Sequence, residues 1–116
     1  MSAALTVWVH GIGLWAPGAA DWHAFADIVA HRAEPSATTR PNAEVLPPNE
    51  RRRAPDSVLL AATAAGQAVR MSGLDAATLP CVFASAHGDQ VITDYMCATL
   101  ATAPRELSPT QFHNSV

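Results

Sequence analysis

The sequence predicts an α/β layered fold, and three observations carry that reading. Leu79-Pro80-Cys81-Val82-Phe83-Ala84-Ser85-Ala86-His87-Gly88 is a short apolar run ending in small residues, a His and a Gly. It suits a buried strand, Cys81 to Ala84, that leaves into a tight turn. A helical pattern precedes it and another follows, so the order is helix, strand, turn, helix. Near the start, Leu5, Val7 and Val9 alternate with period two over Leu5 to His10, and Trp8 on the opposite face suggests a strand covered on both sides.

Composition bounds the class. The 116 residues suffice for one domain. Apolar residues make up 49%, which can supply a core, but much of that is alanine, which buries little area per position. Charged residues reach only 15%, against about a quarter in an ordinary soluble domain. A further layer or a partner is therefore expected over the apolar faces. The net charge is −3, Lys is absent and all seven basic residues are Arg, which argues against a nucleic-acid surface. Cys81 and Cys97 have no metal-ligand spacing, so a reducing, cytoplasmic setting is expected. Neither a signal peptide nor a membrane span is expected.

Each element then follows in order. The opening run ends in Gly11-Ile12-Gly13, and these glycines permit a bulge or close packing against another backbone. They lack the third glycine and the following helix of a dinucleotide fingerprint. Asp21 can cap a helix starting at Trp22, in which Trp22, Phe25, Ala26 and Val29 share one face. From Glu34 to Asn49 four prolines and aperiodic polar residues predict a surface loop. Pro55 to Met71 reads as a long helix stopped by Gly73, with small residues on more than one face that allow close approach inside a layered fold. Gln90 to Ala101 forms the next helix, pairing Val91 with Tyr95 and Ile92 with Met96. Ser108-Pro109-Thr110-Gln111 is a capping box with Pro at the first helical position. Because few residues follow it, a truncated or cleaved product is expected.

The chemistry-bearing residues are few. His87 and Gly88 stand at the end of the central strand, where α/β folds place their sites; a structural role for His87, bonding to the turn backbone, outweighs catalysis. His113 and Asn114 could orient a loop or line a cavity. Arg51, Arg52 and Arg53 read as a solvated loop or helix entry with ion pairs, or as a small docking site for phosphate or acidic partners. Cys81 reads as a small hydrophobe and Cys97 lacks an adjacent base. Ser85-Ala86-His87-Gly88 does not match the nucleophile elbow Gly-x-Ser-x-Gly. No catalytic set and no metal set stands out.

Four motifs in order carry a resemblance that spans essentially the whole chain. Val9 through Gly18, Arg51-Arg52-Arg53 through Ala68, Phe83 through Gly88, and Ser108 through Val116 together resemble the N-terminal part of the β-ketoacyl synthases, condensing enzymes of the thiolase-like fold. The resemblance is closest to a divergent branch found with aryl-polyene and xanthomonadin-type pigments. It implies an N-terminal fragment of a five-layer α-β-α-β-α fold, built from two duplicated halves and dimeric, as a homodimer or as a heterodimer with a ketosynthase. The nucleophilic Cys would follow the Asn-Ser-Val segment by some tens of residues, and the residues that activate decarboxylation would lie in the second half. Neither Cys81 nor Cys97 matches that nucleophile, and neither His87 nor His113 matches the catalytic histidines.

The resemblance further implies a decarboxylative condensation fed by acyl-carrier protein. The carrier's phosphopantetheine arm would present the substrate, with no cofactor bound directly. Phe112, His113 and Asn114 would then border the acyl pocket or an interface, and Arg51, Arg52 and Arg53 would dock the carrier. Two other readings stand beside it. One is a non-catalytic, chain-length-factor-like partner subunit; the other is a small independent α/β binding module.

Overall fold

The computed structural model describes residues 3–114, and its regular structure is helical. Ser115 and Val116, the end of the last motif, lie outside the described residues. Helix α1 spans Trp22–Val29, α2 Pro48–Arg53, α3 Asp56–Ser72, α4 Gln90–Thr102 and α5 Pro109–His113. Among the described residues the only β pairing is an isolated bridge between Ala16 and Ala19.

The helix termini follow the capping chemistry of the sequence. The Asp21 carboxylate accepts the Ala24 backbone N–H at 2.9 Å and starts α1, where the Trp22 and Phe25 rings lie 6.0 Å apart. Gly73 ends the 17-residue α3 in the left-handed conformation, at φ 67°. Ser108 caps α5, its hydroxyl accepting the Gln111 N–H at 3.4 Å with Pro109 at the first helical position. The other arm of the expected capping box is replaced: the Ser108 N–H donates to the Tyr95 hydroxyl at 3.1 Å, which ties α5 to α4. Asp75 caps a short 3-10 turn, Ala76–Thr78, its carboxylate accepting the Ala77 N–H at 3.0 Å.

Helix α3 is the element on which the rest assembles. The segment carrying Gly11 and Gly13 runs along it so closely that a Cβ at Gly11 would lie 2.1 Å from the Ala68 carbonyl oxygen, and one at Gly13 1.7 Å from that of Ala64. Two residues of extended chain rise about 6.5 Å, close to the roughly 6 Å spanned by four residues of helix, so alternate glycines match successive turns. The same register sets the hydrogen bonds. The Ile12 N–H donates to the Met71 sulfur at 3.3 Å and the Leu14 N–H to the Gln67 side-chain oxygen at 3.0 Å. Gln67 in turn donates to the Ala20 carbonyl at 2.8 Å. On another side of α3, Ala43 is buried and its N–H donates to the Thr63 hydroxyl at 3.1 Å. Val45 covers Gly66 nearby. The Pro-rich loop is therefore docked on α3 at these points.

The expected α/β layering is not formed by these residues. Leu5 to His10 and Cys81 to Ala84, read above as strands, have no regular structure. The reason is pairing: a strand's backbone groups need a ladder partner, and neither segment meets one among the described residues. Burial fails with it. Trp8 is 81% exposed and Val82 94%, whereas the buried apolar residues are Ala19, Ala43, Leu59 and Ile92. The dimensions agree: the radius of gyration is 18.0 Å, where a compact chain of this length has about 13 Å. No helix among the described residues is long and apolar enough to cross a membrane.

Candidate functional site

The N-terminal half of α3 forms the floor of the principal depression. Val58, Ala61 and Ala62 line it from below, and Phe83 and Ala84 of the unpaired segment face them across a volume of about 660 Å³. The segment is held in place by its turn and by the start of α4. The Gly88 N–H donates to the Ser85 hydroxyl at 2.9 Å, with Gly88 at φ 63°. Asp89 caps α4 by accepting the Ile92 N–H at 2.9 Å, and the Ser57 hydroxyl on α3 donates to its other oxygen at 2.8 Å. These two bonds, the Ile92 N–H foremost, hold the Asp89 carboxyl below the ordinary carboxylate range against a small opposing effect of burial. The turn is thus built by Ser85. His87, expected to bond the turn backbone at the end of a strand, is instead exposed beside it and makes no hydrogen bond among the described residues.

A second depression of about 490 Å³ adjoins the first and shares Leu46, Val58 and Asn114 with it. Arg53 and Glu50 of α2 line it opposite His113 and Asn114. The Asn114 amide donates to the Arg53 carbonyl at 3.0 Å, across 61 residues of sequence. The structure therefore brings together Arg53, His113, Asn114 and the Phe83–Gly88 stretch, which the sequence presented as separate motifs. Phe112 sits on α5, half exposed, and does not line either depression.

Arg51 and Arg52 turn the other way. They line a third depression of about 540 Å³ with Arg40 and Asn42. The Arg51 guanidinium donates to the Asn42 side-chain oxygen at 3.0 Å, and that of Arg52 to Asn49. Arg40 is paired with Asp56 at 2.7 Å. The arginine run is thus divided between two faces.

Neither cysteine is set up as a nucleophile. Both are exposed, and the Cys81 thiol donates a long hydrogen bond to the Leu79 carbonyl at 3.8 Å. Among the described residues no group of three His, Cys, Asp or Glu could hold a metal. What the arrangement offers is an apolar trough lined also by hydroxyl, amide and carboxylate groups, with Arg53 in the adjoining depression. Ser57, Asp89 and Arg40 were missed as site residues. Asp89 had a readable signal, an acidic residue one step before a predicted helix; Ser57 and Arg40 had none, since their partners lie 32 and 16 residues away.

Residues 22–116 match the family model described as the β-ketoacyl synthase N-terminal domain, and the chain belongs to that family. Val9 through Gly18, the first of the four motifs, lies ahead of the matched span, apart from which the other three fall inside it. Comparison with curated proteins and with solved structures returned no match.

Proposed function

We propose that the chain forms the carrier-docking and acyl-lining portion of a 3-oxoacyl-[acyl-carrier-protein] synthase, acting with further parts of the same subunit and in a homo- or heterodimer. The observation that carries this reading is the junction of the two depressions at Asn114, where the family's arginine-led helix and its Ser108–Val116 signature meet beside an apolar trough. The uncovered residues Trp8, Val82 and Phe83 support a role inside a larger assembly, because exposed apolar surface of this extent marks an interaction face.

In this reading the acyl chain lies over Val58, Ala61 and Ala62, with His113 and Asn114 at the rim. Arg51, Arg52 and Arg53 dock an acyl-carrier protein, whose phosphopantetheine arm delivers the substrate. A Cys thiolate elsewhere in the enzyme displaces the carrier thiol to take the acyl group. Malonyl-carrier protein then loses CO₂, and its carbanion attacks the thioester and releases that Cys. A non-catalytic partner subunit is favoured instead if the assembled enzyme has no such thiol. The finer assignment, to aryl-polyene or xanthomonadin-type pigment synthesis, rests on the sequence motifs alone.

The test is incubation with acyl-[acyl-carrier protein]. Carrier binding is expected to weaken as salt rises and to weaken in the Arg51→Gln/Arg52→Gln/Arg53→Gln variant. Mass spectrometry is expected to find Cys81 and Cys97 unmodified. Acylation of either, or carrier binding indifferent to the three arginines, would overturn the assignment.

A further inference from the structure

We infer that Met71 is a modification site for a hydroperoxide, and that its oxidation releases segment 11–14 from α3. The Met71 sulfur accepts the Ile12 backbone N–H at 3.3 Å, across 59 residues of sequence. It holds one point of a segment whose other point is held by Gln67, which accepts the Leu14 N–H at 3.0 Å. Met71 is also 42% exposed and borders a depression of about 310 Å³ with Ile12, Trp22 and Gln67. A small oxidant in solvent therefore reaches this side chain without any unfolding.

The step balances between the two reactants. A sulfur lone pair attacks the outer oxygen of the hydroperoxide, and the sulfur–oxygen bond forms as the oxygen–oxygen bond breaks. The departing oxygen takes up the proton of the attacked one and leaves as water, or as an alcohol from an alkyl hydroperoxide. The thioether is oxidised to a sulfoxide and the peroxide is reduced.

Either placement of the new oxygen breaks the bond to Ile12. Between sulfur and nitrogen there is no room for it. An N–H···O bond alone takes about 2.9 Å between its heavy atoms, and the whole present separation is 3.3 Å. On the solvent side, the oxygen draws electron density from the sulfur, which then carries partial positive charge and repels the N–H. The segment has no slack with which to adjust. A Cβ at Gly11 would lie 2.1 Å from the Ala68 carbonyl oxygen and 2.9 Å from the Ser72 nitrogen, so the backbone is already pressed against α3. Retreat stretches the bond from Leu14 to Gln67. An apolar, weakly accepting thioether suits this seat, and a polar sulfoxide does not.

The test treats the full chain with dilute hydrogen peroxide and follows it by mass spectrometry and by amide hydrogen exchange at Ile12 and Leu14. Met96 on α4 is half-buried and serves as the internal comparison. Met71 sulfoxide is expected to form ahead of Met96 sulfoxide. Exchange at both amides should then rise about fivefold, the loss of one ordinary hydrogen bond from a segment that opens as a unit. Treatment with a methionine sulfoxide reductase should restore the starting rates. Met71→Leu fills similar space without an acceptor. In that variant exchange at Ile12 alone should rise, and peroxide should change neither amide further. The readings on the unsubstituted chain stand whether or not the variant folds. Oxidation of Met96 ahead of Met71, unchanged exchange at Leu14 once Met71 is oxidised, or the same peroxide response in Met71→Leu would each overturn the inference.

Discussion

Asp89 accepts one backbone and one side-chain hydrogen bond, and both favour its ionised form. Its native pKa lies below the ordinary 3.8, so the carboxylate stabilises the fold above the unfolded value, and this contribution is lost as the pH falls through the native one. Stability is therefore expected to decline on acidification below about pH 4. Asp89→Asn, which keeps an oxygen able to cap α4, should lose little stability at neutral pH and flatten that decline. Asp89→Ala should cost about 1 kcal/mol at neutral pH. Denaturant melts of the three proteins at pH 3 to 7 check both expectations.

At the scale of elements, the packing of the Gly11–Gly13 segment on α3 depends on the lack of two side chains. Gly13→Ala places a methyl group against the Ala64 carbonyl oxygen, inside contact distance. The expected loss is about 1–3 kcal/mol, as for other overpacked contacts, accompanied by faster amide exchange at Ile12 and Leu14. Gly73→Ala is the comparison: it meets open space at φ 67° and should cost only about 1 kcal/mol of backbone strain. No side-chain change at Ala64 or Ala68 can suppress the first defect, because the obstructing atoms are carbonyl oxygens.

The helices were legible because their signals are local. Asp21 and Ser108 each mark a terminus three residues from the N–H they accept, and Gly73 ends α3 by its own left-handed conformation. The close approach of Gly11 and Gly13 was also readable in kind, since two glycines two apart permit it. What could not be read was the pairing state of Leu5 to His10 and Cys81 to Ala84. Alternation and apolar content report which residues could sit in a sheet, whereas a ladder depends on a partner remote in sequence. The division of Arg51 and Arg52 from Arg53 was hidden for a related reason, since it depends on where Arg40, Asn42 and Asn114 come to lie.

The whole molecule exposes 9101 Å², about half as much again as a compact monomer of its mass. Much of its apolar surface is therefore already hydrated in the native state. Melting then transfers less hydrocarbon into water than the length of the chain implies, and calorimetry should record a heat-capacity increment about three quarters of the usual value. The urea dependence should be shallow in proportion. A full-sized increment for the isolated chain would mean that it collapses in solution to a tighter form than the one described. A partner that covers the exposed Trp8 and Val82 should steepen both quantities together, so thermodynamic measurement alone can report its arrival.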